Sequence, residues 1–323
     1  MRALMVDLAR AGALSLEELP DPVPGPGELL VAGVAVGICG TDREMVRGEF
    51  GVGGRLVIGH ESLGRVISGP GFEPGSLVAG VVRRPDPVPC VACARGEFDM
   101  CRNGQYTERG ITGLDGYAAT LWTVPAEYAV AVSSSAGVLV EPTSVVVKAW
   151  ERLDQLALYP FESVLVTGAG PIGLLAALIG VQRGLDVHVF DVASDGPKPA
   201  LVSSLGATYH RSLPDIPVVI EATGAPSLVA SVLGRDLVCL TGVPSTEVLP
   251  ADIGQINRDL VLRNGIVFGT VNSNPRHYRE ASAVLDRADL DWLSALITRR
   301  VPLESFAEAF ETRPGDVKVV LEL

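Results

Sequence analysis

Several things are scarce in this chain of 323 residues. Aromatics make up 5%, histidines number four and cysteines five. Basic residues fall short of acidic ones, 26 against 38, for a formal net charge of −12. A field of that sign repels polyanions and anionic lipid surfaces, which argues against nucleic acid as a partner. An odd cysteine count, with three of the five inside the twelve residues 90–101, fits metal ligation or free thiols and not a secreted disulfide scaffold. The opening MRALMVDLARAG lacks the apolar run and small-residue cleavage site of a signal peptide, so a cytoplasmic location is expected. Only 163–182 is uncharged over a membrane-like length, and Gly and Pro interrupt it midway. That break favours a β half followed by a helical half over a membrane span. There is no internal repeat.

What is present is an ordinary globular supply of core, 47% apolar and 20% charged, over a length suited to two lobes. The 36 glycines and 23 prolines read as turns. Up to about residue 140 the turns separate short β-type runs (2–8, 29–36, 63–67, 77–82, 117–124), which indicates an irregular, mostly β lobe. Glu141-Pro142 opens a helical connector with Val146, Val147, Trp150 and Leu153 at helical spacing. From Ser163 the runs SVLVTG, VHVFD, VVIEATG, LVCLTGV and GIVFGTV alternate with helical segments, the pattern of βαβ units on a parallel sheet. The closing VKVVLEL is a strand that could rejoin the first lobe. The fold class expected is α/β, with domain boundaries at 1–142 (completed by 276–323) and 143–275.

Gly168-Ala169-Gly170-Pro171-Ile172-Gly173 follows one such strand and opens a helix, the context in which GxGxxG carries meaning. The first Gly allows the sharp turn, the second lets a pyrophosphate approach the backbone, and the third packs helix on strand. Asp191 ends the next strand, 23 residues after Gly168, where a carboxylate can hold an adenosine ribose and repel a 2′-phosphate, so NAD is favoured over NADP. The competing explanation is a glycine turn that serves packing alone. Thr223-Gly224 and Thr241-Gly242 end later strands on the same edge.

Cys39, His60, Glu61 and Glu141 are zinc-type ligands at strand or loop ends. Taken singly, Cys39 also fits a small buried hydrophobe, His60 a core histidine, and the glutamates solvated side chains. Thiolate, imidazole and both carboxylates on one Zn²⁺ would sum to −1, a poor polarising centre. One glutamate, Glu61 by preference, is therefore expected to be labile or outside the ligand set. Cys90, Cys93 and Cys101 offer three of the four ligands a structural zinc requires, with Asp86 as candidate fourth; three reduced thiols without metal is the alternative. Cys239 reads as buried packing.

With these residues in view, the chain resembles a zinc-dependent medium-chain dehydrogenase/reductase of the alcohol dehydrogenase superfamily, closest to its archaeal-type glucose dehydrogenase branch. The resemblance runs nearly end to end. It is carried by GICGTDREMVRGEFG (37–51), GHESLGRV (59–66), the 90–101 cysteine loop with GQYTERGITGLDGY after it, LVEPTSVVVKAWE (139–151), VTGAGPIGLL (166–175), VIEATGAPS (219–227), NGIVFGTVNSNPRHYREA (264–281) and the terminal DVKVVLEL.

The resemblance implies a GroES-like β-rich catalytic lobe holding zinc and a Rossmann lobe holding NAD(P). It implies Cys39, His60 and Glu61 or Glu141 around catalytic zinc, and Thr41 as proton relay. Glu108 and Asn272, with Thr41 and Glu141, would meet a polyol, and Thr270, Val271 and Asn272 would lie beside the nicotinamide. Assembly as a dimer or tetramer is expected by analogy. The family's structural-zinc loop begins with a cysteine where this chain has Pro87. Val82, Val145 and Leu262 stand where related sugar enzymes offer polar groups, which points away from glucose toward a less hydroxylated sugar, a cyclitol or another alcohol. The expected reaction is oxidation of a secondary alcohol, or reduction of the matching ketone. The alternatives are a metal-free quinone or enone reductase of the same superfamily and a non-catalytic nucleotide-binding protein.

Overall fold

Glycine-punctuated β runs can bury one face each only by pairing, and in a computed structural model of the chain, describing residues 1–50, 54–243 and 251–323, they do so around one long strand. Gly51, the last residue of the 37–51 motif, lies outside the described residues. The strand Glu28–Ile38 pairs antiparallel with Glu61–Ser68, Leu121–Pro125 and Lys318–Glu322, at the centre of a seven-stranded sheet. Its alternate residues Leu29 and Val31, and Val36 beyond a break in register, join Leu4, Ile58, Tyr117, Trp122 and Leu321 in one buried core. The last strand of the chain thus returns to the first sheet, as VKVVLEL indicated. The preceding strand Ile297–Pro302 pairs with it in parallel and carries no clear sequence signal of its own. Registers decide what meets at the end of the central strand: Gly37 faces Glu61 on one side and Val320 on the other.

The second unit is a six-stranded, all-parallel sheet in the order Thr208–His210, Asp186–Phe190, Ser163–Thr167, Val218–Glu221, Leu237–Leu240, Ile266–Gly269. Counting along the chain this is 3-2-1-4-5-6, the doubly wound order whose direction reverses beside strand 1, where such sheets bind ligands. The uncharged stretch 163–182 resolves into the strand Ser163–Thr167 and the helix Pro171–Gln182, broken at Gly168–Gly170. That helix is apolar nearly all round, and its residues Leu174 to Ile179 are buried. Among the described residues no helix is long and apolar enough to cross a membrane. The two units comprise Met1–Ser144 with Ser273–Leu323, and Val145–Asn272. Their boundary falls inside the helix Val140–Leu156, the connector read from the sequence.

Candidate active site

Cys39 ends the central strand and caps the helix Gly40–Arg47. Its own N–H donates to Asp42 Oδ2 at 2.8 Å, a cap that fixes where the thiol points. Cys39 Sγ lies 3.1 Å from His60 Nε2. The other ring nitrogen of His60 stands 3.3 Å from Asp42 Oδ1. Asp42 is fully buried, and no feature of the sequence marked it beyond its place in the CGTD motif. Burial pushes its carboxyl up, but the charge and hydrogen bond of His60 outweigh this and hold it below the usual range. Burial likewise opposes protonation of His60, yet Cys39 and Asp42 draw its pKa well above the ordinary value. A carboxylate beside Nδ1 favours the tautomer that keeps its proton there, so that a cation beside the thiol can replace the proton on Nε2.

Cys39, Asp42 and His60 form one cluster of ligand atoms lying within 4.8 Å of one another, and His60, Glu61 and Glu141 form a second that shares the imidazole. Glu141 comes from the first turn of the connector helix. Burial, with Glu61 adding to it against the attraction of His60, raises its carboxyl to about 7. Glu61 is paired with Lys318, both almost completely buried. A side chain at Gly37, between the two strands that deliver them, would collide with both. Lys318 Nζ also donates to Ile38 O at 3.3 Å.

Three carboxylates and a thiol, buried or half-buried, thus gather around one imidazole and one lysine. Uncompensated buried charge of that kind is costly, and a divalent cation is the compensation that thiolate, imidazole and carboxylate together select. The residues present fit zinc. Thr41 sits half-buried in the first turn of the Gly40–Arg47 helix, two residues beyond the thiol.

In the second unit, Gly168 takes φ +94°, a conformation open to glycine. A Cβ at Gly173 would overlap the Gly168 carbonyl, whereas nothing stands within 4 Å of one at Gly170, the N-cap of the Pro171–Gln182 helix. Packing therefore requires the third glycine, while the second leaves space for an anion over the helix start, beside Pro171 and Ile172. Asp191 accepts from Ala169 N at 2.7 Å and Ala193 N at 2.9 Å. It also accepts from Lys198 Nζ at 3.1 Å. Burial raises its carboxyl, but these donors prevail and hold it below the usual range.

Lys198 is a residue the sequence reading missed, brought to Asp191 from the helix Pro197–Ser204. Lys148, Lys198 and Lys318 are the chain's only lysines, the other 23 of its 26 basic residues being arginine. Each has a specific partner in or beside the described sites, Lys148 donating to Val271 O at 3.0 Å. That scarcity was the signal that could have found them. Thr223 and Gly242 lie on the same sheet edge, where Gly242 packs against the backbone of Gly224. Thr270 Oγ1 is buried with no hydrogen-bond partner among the described residues, and Asn272 is held at φ +61°.

Glu108 is buried, and Arg83 Nε and Nη2 donate to its Oε1 at 3.0 and 2.9 Å. Leu262 is on the exposed side of the helix Ile253–Arg263, with 66% of its surface accessible.

In the cysteine loop the sulfurs of Cys90, Cys93 and Cys101 lie within 4.8 Å of one another. Asp86, also buried, reaches Cys101 Sγ at 3.8 Å, and its other oxygen accepts from Val88 N at 2.7 Å. Backbone N–H groups of Cys93 and Arg102 lower the Cys90 thiol to about 6. Cys239 is the opposite case, its thiol pushed by burial to about 12.

Residues 25–134 match the alcohol dehydrogenase GroES-like domain, and residues 134–323 match the glucose dehydrogenase C-terminus. Glucose 1-dehydrogenase of Thermoproteus tenax is 39% identical over 100% of this chain and 99% of its own length, and that of Methanocella arvoryzae is 34% identical over the same shares. The solved structure of Haloferax mediterranei glucose dehydrogenase in complex with NADP, Zn and gluconolactone superposes with a TM-score of 0.90 at 30% identity, covering 100% of this chain and 99% of that one. On these matches the chain belongs to the zinc-dependent medium-chain dehydrogenase family, in its glucose dehydrogenase branch.

Proposed function

We propose that the protein is a zinc-dependent, NAD(P)-linked dehydrogenase that oxidises a secondary hydroxyl of a sugar, cyclitol or related polyol, or reduces the matching ketone. The observation that carries this reading is the pair of ligand clusters that meet at the buried His60, Cys39 with Asp42 and Glu61 with Glu141. When bound, the metal supplies Lewis acidity that brings a hydroxyl pKa toward neutrality, and the dinucleotide supplies the hydride acceptor.

The chain's own residues do the rest. Cys39, His60 and Glu141 would hold the ion, and Asp42 beside Nδ1 would favour the tautomer that presents Nε2 to it. Lys318 neutralises Glu61 and draws it off, so that the full set of four anionic and neutral donors need not bind at once. Thr41 takes the hydroxyl proton onward. Glu108, anchored by Arg83, and Asn272 meet the remaining hydroxyls, and Thr270 and Val271 flank the nicotinamide.

Gly168 to Gly173 take the pyrophosphate, and Asp191, Thr223 and Gly242 the adenosine side. Asp191 favours NAD over NADP, and Lys198 offsets part of that preference by placing a positive charge beside the carboxylate. The cysteine loop with Asp86 holds a second, structural zinc. Ile266–Gly269 is an edge strand, and Val261 and Leu262 on the preceding helix are exposed, which supports assembly of at least a dimer through that edge.

The test is a panel of sugars, cyclitols and simple alcohols with NAD and NADP, followed at the absorbance of reduced cofactor. Metal-dependent reduction with at least one polyol is expected. A protein equally active after its zinc is stripped is a metal-free reductase, and one inert toward every pair is a nucleotide binder.

A further inference from the structure

The strand Val218–Glu221 ends in a carboxylate that the chemistry above leaves unused. Glu221 is fully buried. Its Oε1 accepts from Thr223 N at 2.8 Å, from the Thr223 hydroxyl and from Thr167 Oγ1 at 3.3 Å, and its Oε2 from Gly224 N at 3.1 Å. Its backbone carbonyl accepts from Thr241 N and Oγ1, both at 2.8 Å, and from Gly242 N at 3.2 Å. Among the described residues no Lys, Arg or His is paired with it. A buried acid without a counter-cation persists where donors satisfy both oxygens, and here every donor belongs to the carboxyl edge of the sheet.

Three turns converge on this one residue: Thr167-Gly168, Thr223-Gly224 and Thr241-Gly242. They touch one another with no slack. A Cβ at Gly168 would stand 2.7 Å from Thr223 Cγ2, and one at Gly242 would overlap the Gly224 backbone. The spacing of the edge is therefore set by the glycines from outside and by a common acceptor from within.

We propose that the carboxylate of Glu221 is the positioning group of the dinucleotide edge, tying the Thr223-Gly224 turn to Thr167 beside the backbone carbonyl that holds Thr241-Gly242, at the separation the cofactor requires and without touching it. This rests on the reading of that edge as the dinucleotide site. The role needs acceptors on both sides of one side chain. A glutamine offers one oxygen and one NH2 group, so whichever way it turns, the NH2 meets a backbone N–H, either Thr223 N or Gly224 N, and the Thr223-Gly224 turn loses one of its two backbone anchors.

The experiment uses the full-length, zinc-loaded protein as wild type, Glu221→Gln and Glu221→Asp. NADH and NADPH are titrated by nicotinamide fluorescence, with steady-state kinetics and metal content in parallel. The expected result for Glu221→Gln is a rise of about 10-fold or more in dinucleotide Kd and KM, with alcohol KM and zinc content near wild type. Glu221→Asp, which keeps two acceptor oxygens on a shorter arm, recovers part of the affinity and serves as the test where the glutamine variant does not fold. Unchanged dinucleotide Kd in both variants overturns the role. Equal rises in dinucleotide and alcohol KM with loss of zinc also overturn it, because general loosening of the fold then suffices. A wild type that binds neither NADH nor NADPH overturns the underlying reading of the edge as well.

Discussion

Replacing Asp42 by asparagine tests the logic of the metal cluster with almost no change in volume. Asp42 makes two contacts that an amide cannot both keep: Oδ2 accepts a hydrogen bond from Cys39 N at 2.8 Å, and Oδ1 faces His60 Nδ1 across a charge contact of 3.3 Å. If the asparagine oxygen stays on Cys39 N, its NH2 turns to His60 Nδ1 and stabilises the tautomer with the proton on Nε2, where the metal needs a lone pair. Loss of such a partner behind a ligating histidine costs about 10- to 100-fold in metal affinity, or about 1.4–2.7 kcal/mol. If the amide flips instead, the helix Gly40–Arg47 loses its cap, worth about 1 kcal/mol, and the Cys39 thiol loses its fixed direction. Either outcome speeds zinc transfer to a chromophoric chelator, and only the second lowers the melting temperature of the metal-free protein. With zinc in excess, turnover recovers toward wild type, because Asp42 touches no reacting atom. An Asp42→Asn protein that releases zinc no faster than wild type refutes the argument that Asp42 sets the histidine tautomer.

Replacing Cys39 by alanine is expected to abolish turnover while leaving NADH and NADPH binding within about twofold, measured by fluorescence titration, since the thiol and the glycine turn lie in different units. The pH dependence of the metal-free protein follows from Glu141, whose folded-state pKa of about 7 lies above its ordinary value of 4.5. A raised acid contributes stability below its unfolded pKa and loses it as pH rises through the folded one. The metal-free melting temperature should therefore fall between about pH 5 and about pH 8, and zinc should suppress that fall by favouring the carboxylate. A flat metal-free profile would count against the burial of Glu141. Lys198→Ala should weaken NADP more than NAD, a shift read from the ratio of kcat/KM values, and an unaltered ratio would remove Lys198 from cofactor choice. Metal analysis of a Cys90→Ser, Cys93→Ser double variant should show one zinc fewer per chain than wild type.

The glycine turn was legible in the sequence because its meaning is local: a strand, three glycines at fixed spacing and a helix determine it within six residues. The same holds for Cys39 and His60, each at the end of a short β run, and for the break at Gly168–Gly170 that ends any membrane reading of 163–182. Strands too short for an alternation signal, such as Arg55–Val57 and Thr107–Arg109, were not legible, and neither was Ile297–Pro302, whose central arginines hide its period.

The sequence by itself determined the two kinds of lobe, the dinucleotide turn and the types of residue available to a metal, because periodicity and spacing are properties of neighbours in the chain. Which residues sit behind those groups was decided only by tertiary structure. Lys318 meets Glu61 because the final strand enters the first sheet in one particular register, 257 positions away along the chain (318 − 61). Lys198 reaches Asp191 only because a helix start folds back over the strand end. Charge compensation acts through space in a buried, low-dielectric volume, so its partners are set by packing and register and leave no pattern along the chain.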